Sequence, residues 1–380
     1  MNNLVYLDYA ATTPLRKEAL DAMMPFLTVN FANPSSVYFY AQSPKVAIDN
    51  ARRQIAYAIN AQSTDIYFVS SGTEAINWAL KTAIPIYSST KKKHIITTAT
   101  EHHSSLRTCQ YMASNGVDVT FLPVDRFGRV SPRQVKDAIR EDTALVNVIL
   151  ANNETGSLNP IAEIAKIVKE KNSQILFHTD AVAAVGHIPI DVQALGVDML
   201  SLSAHKFGGP KGAGALFCKQ NTPLPSYMHG GEQERGKRGG TQNVAAIVGM
   251  GAAIALAIDE LPSEQTRISA LRDGFIKEIL QTIPNASLNG HPLERLPGNI
   301  SFAFEGISAE SLLIRLDSAG ICASAGSACA SGSLEPSHVL LAMGLSEDAA
   351  KSSLRISLGR ETTEKQMIFA AERLIEAVNL

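Results

Sequence analysis

The sequence predicts an α/β protein with a mainly parallel sheet in its larger part and a smaller α+β part behind it. Two observations carry the fold class. Short apolar runs at 66–69, 94–98, 117–122, 144–150, 174–180 and 197–202 alternate with helical stretches at 75–82, 132–140 and 161–171. Strands alternating with helices make βαβ units, and these build parallel sheets. The second observation is where the polar residues fall. Gly72, His102, Asn153, Asp180 and Lys206 all stand just past a predicted strand end, the edge at which such sheets bind ligands.

Taken in order, 4–7 is a short extended apolar segment, and Asp8 to Pro14 reads as an entry that turns into a helix of about a dozen residues from Arg16. Asn33-Pro34-Ser35-Ser36 is loop chemistry, and a helix is expected over 44–60. Ser70-Ser71-Gly72-Thr73-Glu74 then joins a strand to a helix start. Exposed amides, a favourable dipole and hydroxyls make that junction an anion site; the plain alternative is a capping box of Ser71 with Glu74. Glu101-His102-His103 follows the next strand. Adjacent histidines do not share a helix face, so a metal pair is not expected. One of them stacking on an aromatic cofactor competes with an ordinary hydrogen-bonded loop histidine.

Gly230 to Thr241 is glycine-rich and charged without the Gly-Lys-Ser/Thr end of a Walker loop. It reads as a flexible surface loop or a second backbone cradle. The apolar stretch 244–258 is shorter than the ~20 residues that span a bilayer and reads as a buried helix. Composition shifts at Leu261-Pro262, where a domain boundary is expected: 15–261 forms the larger body, and 1–14 with 262–380 the smaller. There a charged helix runs to about 283, a strand covers 299–304, a helix 309–319, a strand 354–360 and a last helix 363–378.

The chain has 380 residues and a formal net charge of -2, enough for a sizeable core and without the basic stripe of a nucleic-acid binder. Its start reads as carrying no secretion signal. The four cysteines, Cys109, Cys218, Cys322 and Cys329, form no Cys-x-x-Cys pair, which suits a reducing cytoplasm. No zinc-ligand spacing appears.

The chemistry centres on Ser201 to Gly212. Lys206 leaves a strand end between hydroxyl neighbours and a glycine-rich turn. A lysine placed to reach into a cleft is desolvated there and becomes a nucleophilic amine, as a Schiff-base lysine must be. Lys211 is a second candidate, and a solvated surface lysine the plain alternative. Asp180, at an earlier strand end, suits the acid partner that pyridoxal phosphate needs at its pyridinium nitrogen; otherwise it is a turn or cap residue. Residues 322–333 are nearly all small, so mobility is expected there. Cys329 on such a loop is a candidate reactive thiol. Arg355 and Arg360 either clamp a carboxylate or lie on an exposed edge strand.

These motifs together resemble the pyridoxal-phosphate cysteine desulfurases of the NifS/IscS class, within the class V aminotransferases. The similarity runs over essentially the whole chain. It rests on Tyr6 to Pro14, Ser71-Gly72-Thr73-Glu74, Ala204-His205-Lys206, and Gly326-Ser327-Ala328-Cys329 with Leu334-Glu335-Pro336-Ser337. The resemblance implies the aspartate-aminotransferase-like fold type I, a homodimer, and conversion of L-cysteine to L-alanine with sulfur passed to an acceptor protein. Lys206 would carry the cofactor, Asp180 hold its pyridinium and His102 stack on the ring. Gly72, Thr73, Ser203 and His205 would bind the phosphate, joined by Thr241 from the partner subunit. Asn153 would lie near the cofactor hydroxyl and the substrate, Arg355 would take the substrate carboxylate, and Cys329 would accept the sulfur.

Three departures stand out. Ala183 occupies the position where the family usually has a glutamine, a loss of one neutral hydrogen bond worth ~0.5–1.5 kcal/mol. Val37-Tyr38-Phe39 replaces a common histidine. The chain stops at Leu380 without a long tail for docking an iron–sulfur scaffold, so tRNA thiolation, cofactor synthesis or DNA sulfur modification are alternative destinations. A selenocysteine lyase and a non-catalytic sulfur-acceptor scaffold are the rival functions.

Overall fold

The computed structural model describes residues 4–83, 93–325 and 335–379. Within them the strands in chain order are β1 (Val5–Tyr6), β2 (Ile66–Val69), β3 (His94–Thr98), β4 (Asp118–Leu122), β5 (Thr143–Asn147), β6 (Leu176–Asp180) and β7 (Met199–Ser203). There follow β8 (Gly214–Cys218), β9 (Ala286–Leu288), β10 (Asn299–Phe304), β11 (Ile321–Cys322), β12 (Ser324–Ala325) and β13 (Ser353–Ser357).

The large sheet has seven strands in the order β2-β8-β7-β6-β5-β3-β4. The pairs from β7 through β6, β5 and β3 to β4 are parallel, as the alternation of strands and helices predicts. Strand β8 was not apparent in the sequence and runs antiparallel to both neighbours. Its direction follows from chain length. The connection 204–213 is shorter than the dozen or more residues that a parallel crossover needs, so β8 must double back on β7.

Alternate residues of each strand enter two cores. Ile96, Val146, Phe177 and Leu200 pack on one face with Ile55, Ile164 and Ile254. Ile95, Leu145, Leu176 and Met199 pack on the other with Ile76, Trp78 and Met112. Burial on both faces explains why these strands read as continuous apolar runs.

A second sheet, β12-β13-β10-β9, is antiparallel throughout. Its Ile300, Phe302, Phe304, Leu354 and Ile356 form a separate core with Leu312 and Leu316 of the helix Ala309–Ser318 and Met367 and Leu374 of the last helix, Glu364–Asn379. Strand β1 pairs in parallel with β11 and brings the start of the chain to this sheet.

One helix, Val244–Thr282, serves both cores. Ile247, Met250 and Ile254 lie in the first and Ile268, Phe275 and Ile279 in the second. The composition shift at Leu261-Pro262 therefore falls inside a continuous helix rather than between two. Pro262 lies on the exposed side of this helix, so its ring does not disturb either core. By length and composition this helix could cross a membrane, but 56% of its apolar window is buried within the protein.

Candidate active site

The connection that reverses β8 also creates the reactive position. After β7 the chain makes a single tight turn, Ala204–Lys206. Phe207 N and Gly209 N both donate to Ala204 O, at 3.1 and 2.9 Å. Gly208 adopts φ 84°; a side chain there would be strained and would come within 2.6 Å of Arg16 Cγ. Lys206 Nζ donates to the carbonyls of Ala10 and, at 3.0 Å, Ala11. His187 Nε2 donates to Lys206 O at 2.8 Å. The segment 8–14 thus docks on the lysine, a contact that sequence patterning did not reveal.

Asp180 ends β6, the strand beside β7, and is 3% exposed. Its Oδ1 accepts from Val182 N at 2.9 Å, and burial pushes its pKa up to about 6. Beneath it runs a buried polar row that the sequence analysis missed. His178 Nδ1 lies 2.6 Å from Asn147 Oδ1, and His178 Nε2 lies 2.8 Å from Ser201 Oγ. Asn147 Nδ2 donates to Thr97 Oγ1 at 2.9 Å and to Glu101 Oε2 at 3.0 Å. Glu101 Oε1 accepts from Ile149 N at 2.7 Å and Thr98 Oγ1 at 2.8 Å. Burial lowers the His178 pKa to about 3 and raises that of Glu101 to about 8. A neutral His178 that faces the Asn147 amide oxygen carries its proton on Nδ1 and accepts from Ser201 through Nε2. The sequence signal was available: Thr97, Asn147, His178 and Ser201 are polar residues inside otherwise apolar strands, and such residues need partners.

His102 caps the helix His103–Ser114, its Nδ1 accepting from Ser104 N at 3.1 Å. That bond places the ring proton of neutral His102 on Nε2. Burial, with the charge of Lys206, lowers its pKa to about 4. Ser71 caps the helix Gly72–Lys81, accepting from Glu74 N at 3.1 Å. Glu74 Oε2 bonds Ser70 N at 2.7 Å, one residue before the cap, so the capping box is shifted. The first two helical amides, of Gly72 and Thr73, precede the first intrahelical bond, Ala75 N to Ser71 O. A Cβ on Gly72 would meet Val182 Cγ2 at 2.6 Å, so glycine lets this helix end approach β6 closely. His205 Nδ1 lies 3.2 Å from Thr12 Oγ1, and burial with the charge of Lys206 lowers its pKa to about 4.

Arg355 comes from the second sheet. It is 1% exposed on β13, between β10 and β12, which removes the exposed-edge alternative. Nη2 donates to Asp8 Oδ1 at 2.8 Å and Nη1 to Asn153 O at 3.3 Å, while the buried Nε has no partner among the described residues. Arg360 instead lies half-exposed beside Glu260, at 3.3 Å.

Lys206, Asp180, Gly72, Thr73, His102, Asn153, Ser203, His205 and Arg355 all line one cleft of about 870 Å³, with Ala183 in its wall. Thr241 is exposed and not part of that lining. Cys329 lies outside the described residues. Lys211 is exposed and not part of that lining. The Gly230–Thr241 stretch is anchored rather than loose. Glu234, at φ 46°, accepts from both Arg52 Nη atoms at 2.7 and 2.9 Å and from Phe68 N at 2.9 Å.

The donor set fits pyridoxal phosphate: helix-end amides and hydroxyls for a phosphate, a buried carboxyl for a ring nitrogen and an amine for the aldehyde. The spare buried Nε–H of Arg355 suits an additional carboxylate.

Comparison with known proteins agrees. The family model described as aminotransferase class-V matches residues 5–368. The cysteine desulfurase IscS of Methanosarcina thermophila is 49% identical over 377 residues, covering 99% of this chain and 91% of that protein. The cysteine desulfurase IscS of Dictyoglomus turgidum is 50% identical over 379 residues, covering 99% and 95%. Among solved structures, a NifS-like protein superposes with a TM-score of 0.93 at 34% identity, covering 99% of this chain and all of that one.

Proposed function

The chain belongs to the aminotransferase class-V family, and from that premise we propose that it is a pyridoxal-phosphate-dependent cysteine desulfurase. It converts L-cysteine to L-alanine and moves the sulfur to Cys329 as a persulfide. The observation that carries the reading is the convergence of the Lys206 amine, the Asp180 carboxyl, the Gly72 and Thr73 amides and the buried Arg355 on one cleft.

The bound cofactor supplies a conjugated electron sink for the bonding pair of the substrate Cα–H. This chain's residues do the rest. Lys206 would hold the cofactor through its amine and would be the base for the substrate Cα proton. Its contacts with Ala10 O and Ala11 O support an amine held close to the cleft and able to leave. Asp180 holds the ring nitrogen. Its pKa is raised by burial in spite of the Lys206 charge, and a protonated ring nitrogen would draw it down further. His102 would pack on the ring, with its proton on Nε2. Gly72, Thr73, Ser203 and His205 hold the phosphate, and Thr241 joins them from the second subunit of a homodimer. Asn153 lies by the ring hydroxyl and the substrate. Arg355, steadied by Asp8 at 2.8 Å, fixes the substrate carboxylate.

Cys329 attacks as a thiolate. A free thiol has a pKa of ~8.5, so only a minority of Cys329 is ionised at neutral pH and desulfuration should speed up as pH rises toward that value. The substrate C–S bond breaks, an S–S bond forms on Cys329, and a proton returns to the three-carbon product. The persulfide then passes to an acceptor protein in the cytoplasm.

The same reading divides the chain into a cofactor-holding body, 15–261, and a smaller body, 1–14 with 262–380. The separate apolar core of the second sheet supports that division.

Incubation with L-cysteine and a reducing thiol tests the activity. Equal amounts of alanine and sulfide are expected, and Cys329→Ser is expected to abolish sulfide release. Undiminished sulfide from that variant would remove Cys329 from the mechanism.

A further inference from the structure

Beside the Lys206 turn lies a second cavity of about 90 Å³, and Lys206 lines both it and the cofactor cleft. Its wall includes Arg16, Glu260, Glu361, Arg360, His187 and Tyr9. Arg16 Nη1 and Arg360 Nε approach the same atom, Glu260 Oε2, at 2.9 and 3.3 Å. One carboxylate thus faces two guanidiniums, so a positive charge is left over. Glu264, also in the wall, does not supply the balance, since Arg267 binds both its oxygens at 2.9 and 2.7 Å. Glu361, adjacent in sequence to Arg360, brings a negative charge to the same cavity. His187 donates through Nε2 to Lys206 O, so its Nδ1 is an acceptor.

We propose that this interdomain cavity is a binding site for a small zwitterion of amino-acid size, its carboxylate on Arg16 and Arg360 and its ammonium toward Glu361. Guanidiniums favour planar carboxylates, and the opposite charge of Glu361 selects a molecule carrying both signs. The carboxylate would be gripped here by Arg16 and Arg360 rather than by Arg355, which lines only the cofactor cleft, and the proposal does not depend on the proposed activity.

Occupancy would be felt at the active site. Arg16 N donates to Gly208 O at 2.9 Å, and the Arg16 side chain lies against Gly208, where no Cβ intervenes. Arg360 follows β13, the strand that carries Arg355. A carboxylate across the two arginines therefore ties the Lys206 turn to that strand.

The test uses the cofactor-loaded protein and N,N-dimethylglycine, a tertiary amine that keeps both charges but cannot condense with an aldehyde. Binding is followed by saturation-transfer NMR on its methyl protons. We expect two binding phases in the wild type, from the cleft and from the cavity. Arg360→Gln, a change at a half-exposed residue, should weaken one phase about tenfold, the effect of one charge-assisted hydrogen bond. Arg360→Lys should weaken it less. Propionate, which lacks the ammonium, should bind the cavity more weakly than dimethylglycine, and Glu361→Gln should erase that preference. Identical isotherms for wild type and Arg360→Gln would overturn the proposal, as would a preference for propionate. Neither outcome bears on whether cysteine is desulfurated.

Discussion

The two sheets contribute in different ways to one cleft. The seven-stranded sheet is parallel except for β8, buried on both faces, and presents strand ends in a row. Asp180, Ser203, Lys206 and His102 are set by those ends and by the turns after them. The four-stranded sheet is antiparallel and lends mainly one side chain, Arg355, from within a strand. A group on a strand end is placed by the loop that follows. A group inside a strand is placed by its neighbours, here Asp8 and Asn153 O. The first arrangement suits holding a cofactor, and the second suits gripping a substrate. Residues of the large sheet should therefore govern turnover, and Arg355 the apparent affinity.

The sharpest way to break this division is to remove the amine. Lys206→Ala should lower kcat by about 10³, in the range for loss of a positioned proton-transfer group, and should leave the protein unable to hold the cofactor covalently. Asp180→Asn should cost about 10² in kcat, as loss of preorganised charge does, with a smaller change in KM. Arg355→Gln should do the reverse, raising KM for cysteine about tenfold or more with kcat less affected. If Arg355→Gln reduced kcat and spared KM, the contrast between the sheets would fail. Ala183→Gln is the smallest change. One added neutral hydrogen bond is worth about 1 kcal/mol, so a shift in the pH midpoint of the cofactor's absorbance, by less than about one unit, is expected.

The polar row beneath Asp180 offers a stability counterpart. In the folded protein Glu101 has its pKa raised from 4.5 to about 8 by burial, with Asp180 adding to the effect. Between those values the folded chain keeps a proton that the unfolded chain releases. Its contribution is therefore full below the unfolded value and is lost as pH rises through about 8. The thermal midpoint of the cofactor-free protein should fall between pH 6 and 9, and Glu101→Gln should flatten that slope. An equal slope in both proteins would assign the pH dependence elsewhere.

Much of this was legible in the sequence because buried parallel strands read as mainly apolar runs and ligands bind just past their ends. Gly72, His102, Asn153, Asp180 and Lys206 each stand at or just past such an end, and the structure brings them to one cleft. Strand β8 escaped because its glycine and alanine residues resemble the turn before it. The long helix escaped because Pro262 ordinarily breaks a helix, whereas here it stands inside a continuous one. The contacts of Lys206 with Ala10 O and Ala11 O, and of Arg355 with Asp8, join residues nearly two hundred and more than three hundred positions apart. No local pattern encodes such pairs. Cys329 rests on the family resemblance and on its small-residue surroundings in the sequence.

Reduction with borohydride followed by peptide mapping tests the central claim most directly. A pyridoxyl group fixed to Lys206 is the predicted result. A label on another lysine, or none on a protein that binds the cofactor, would contradict it.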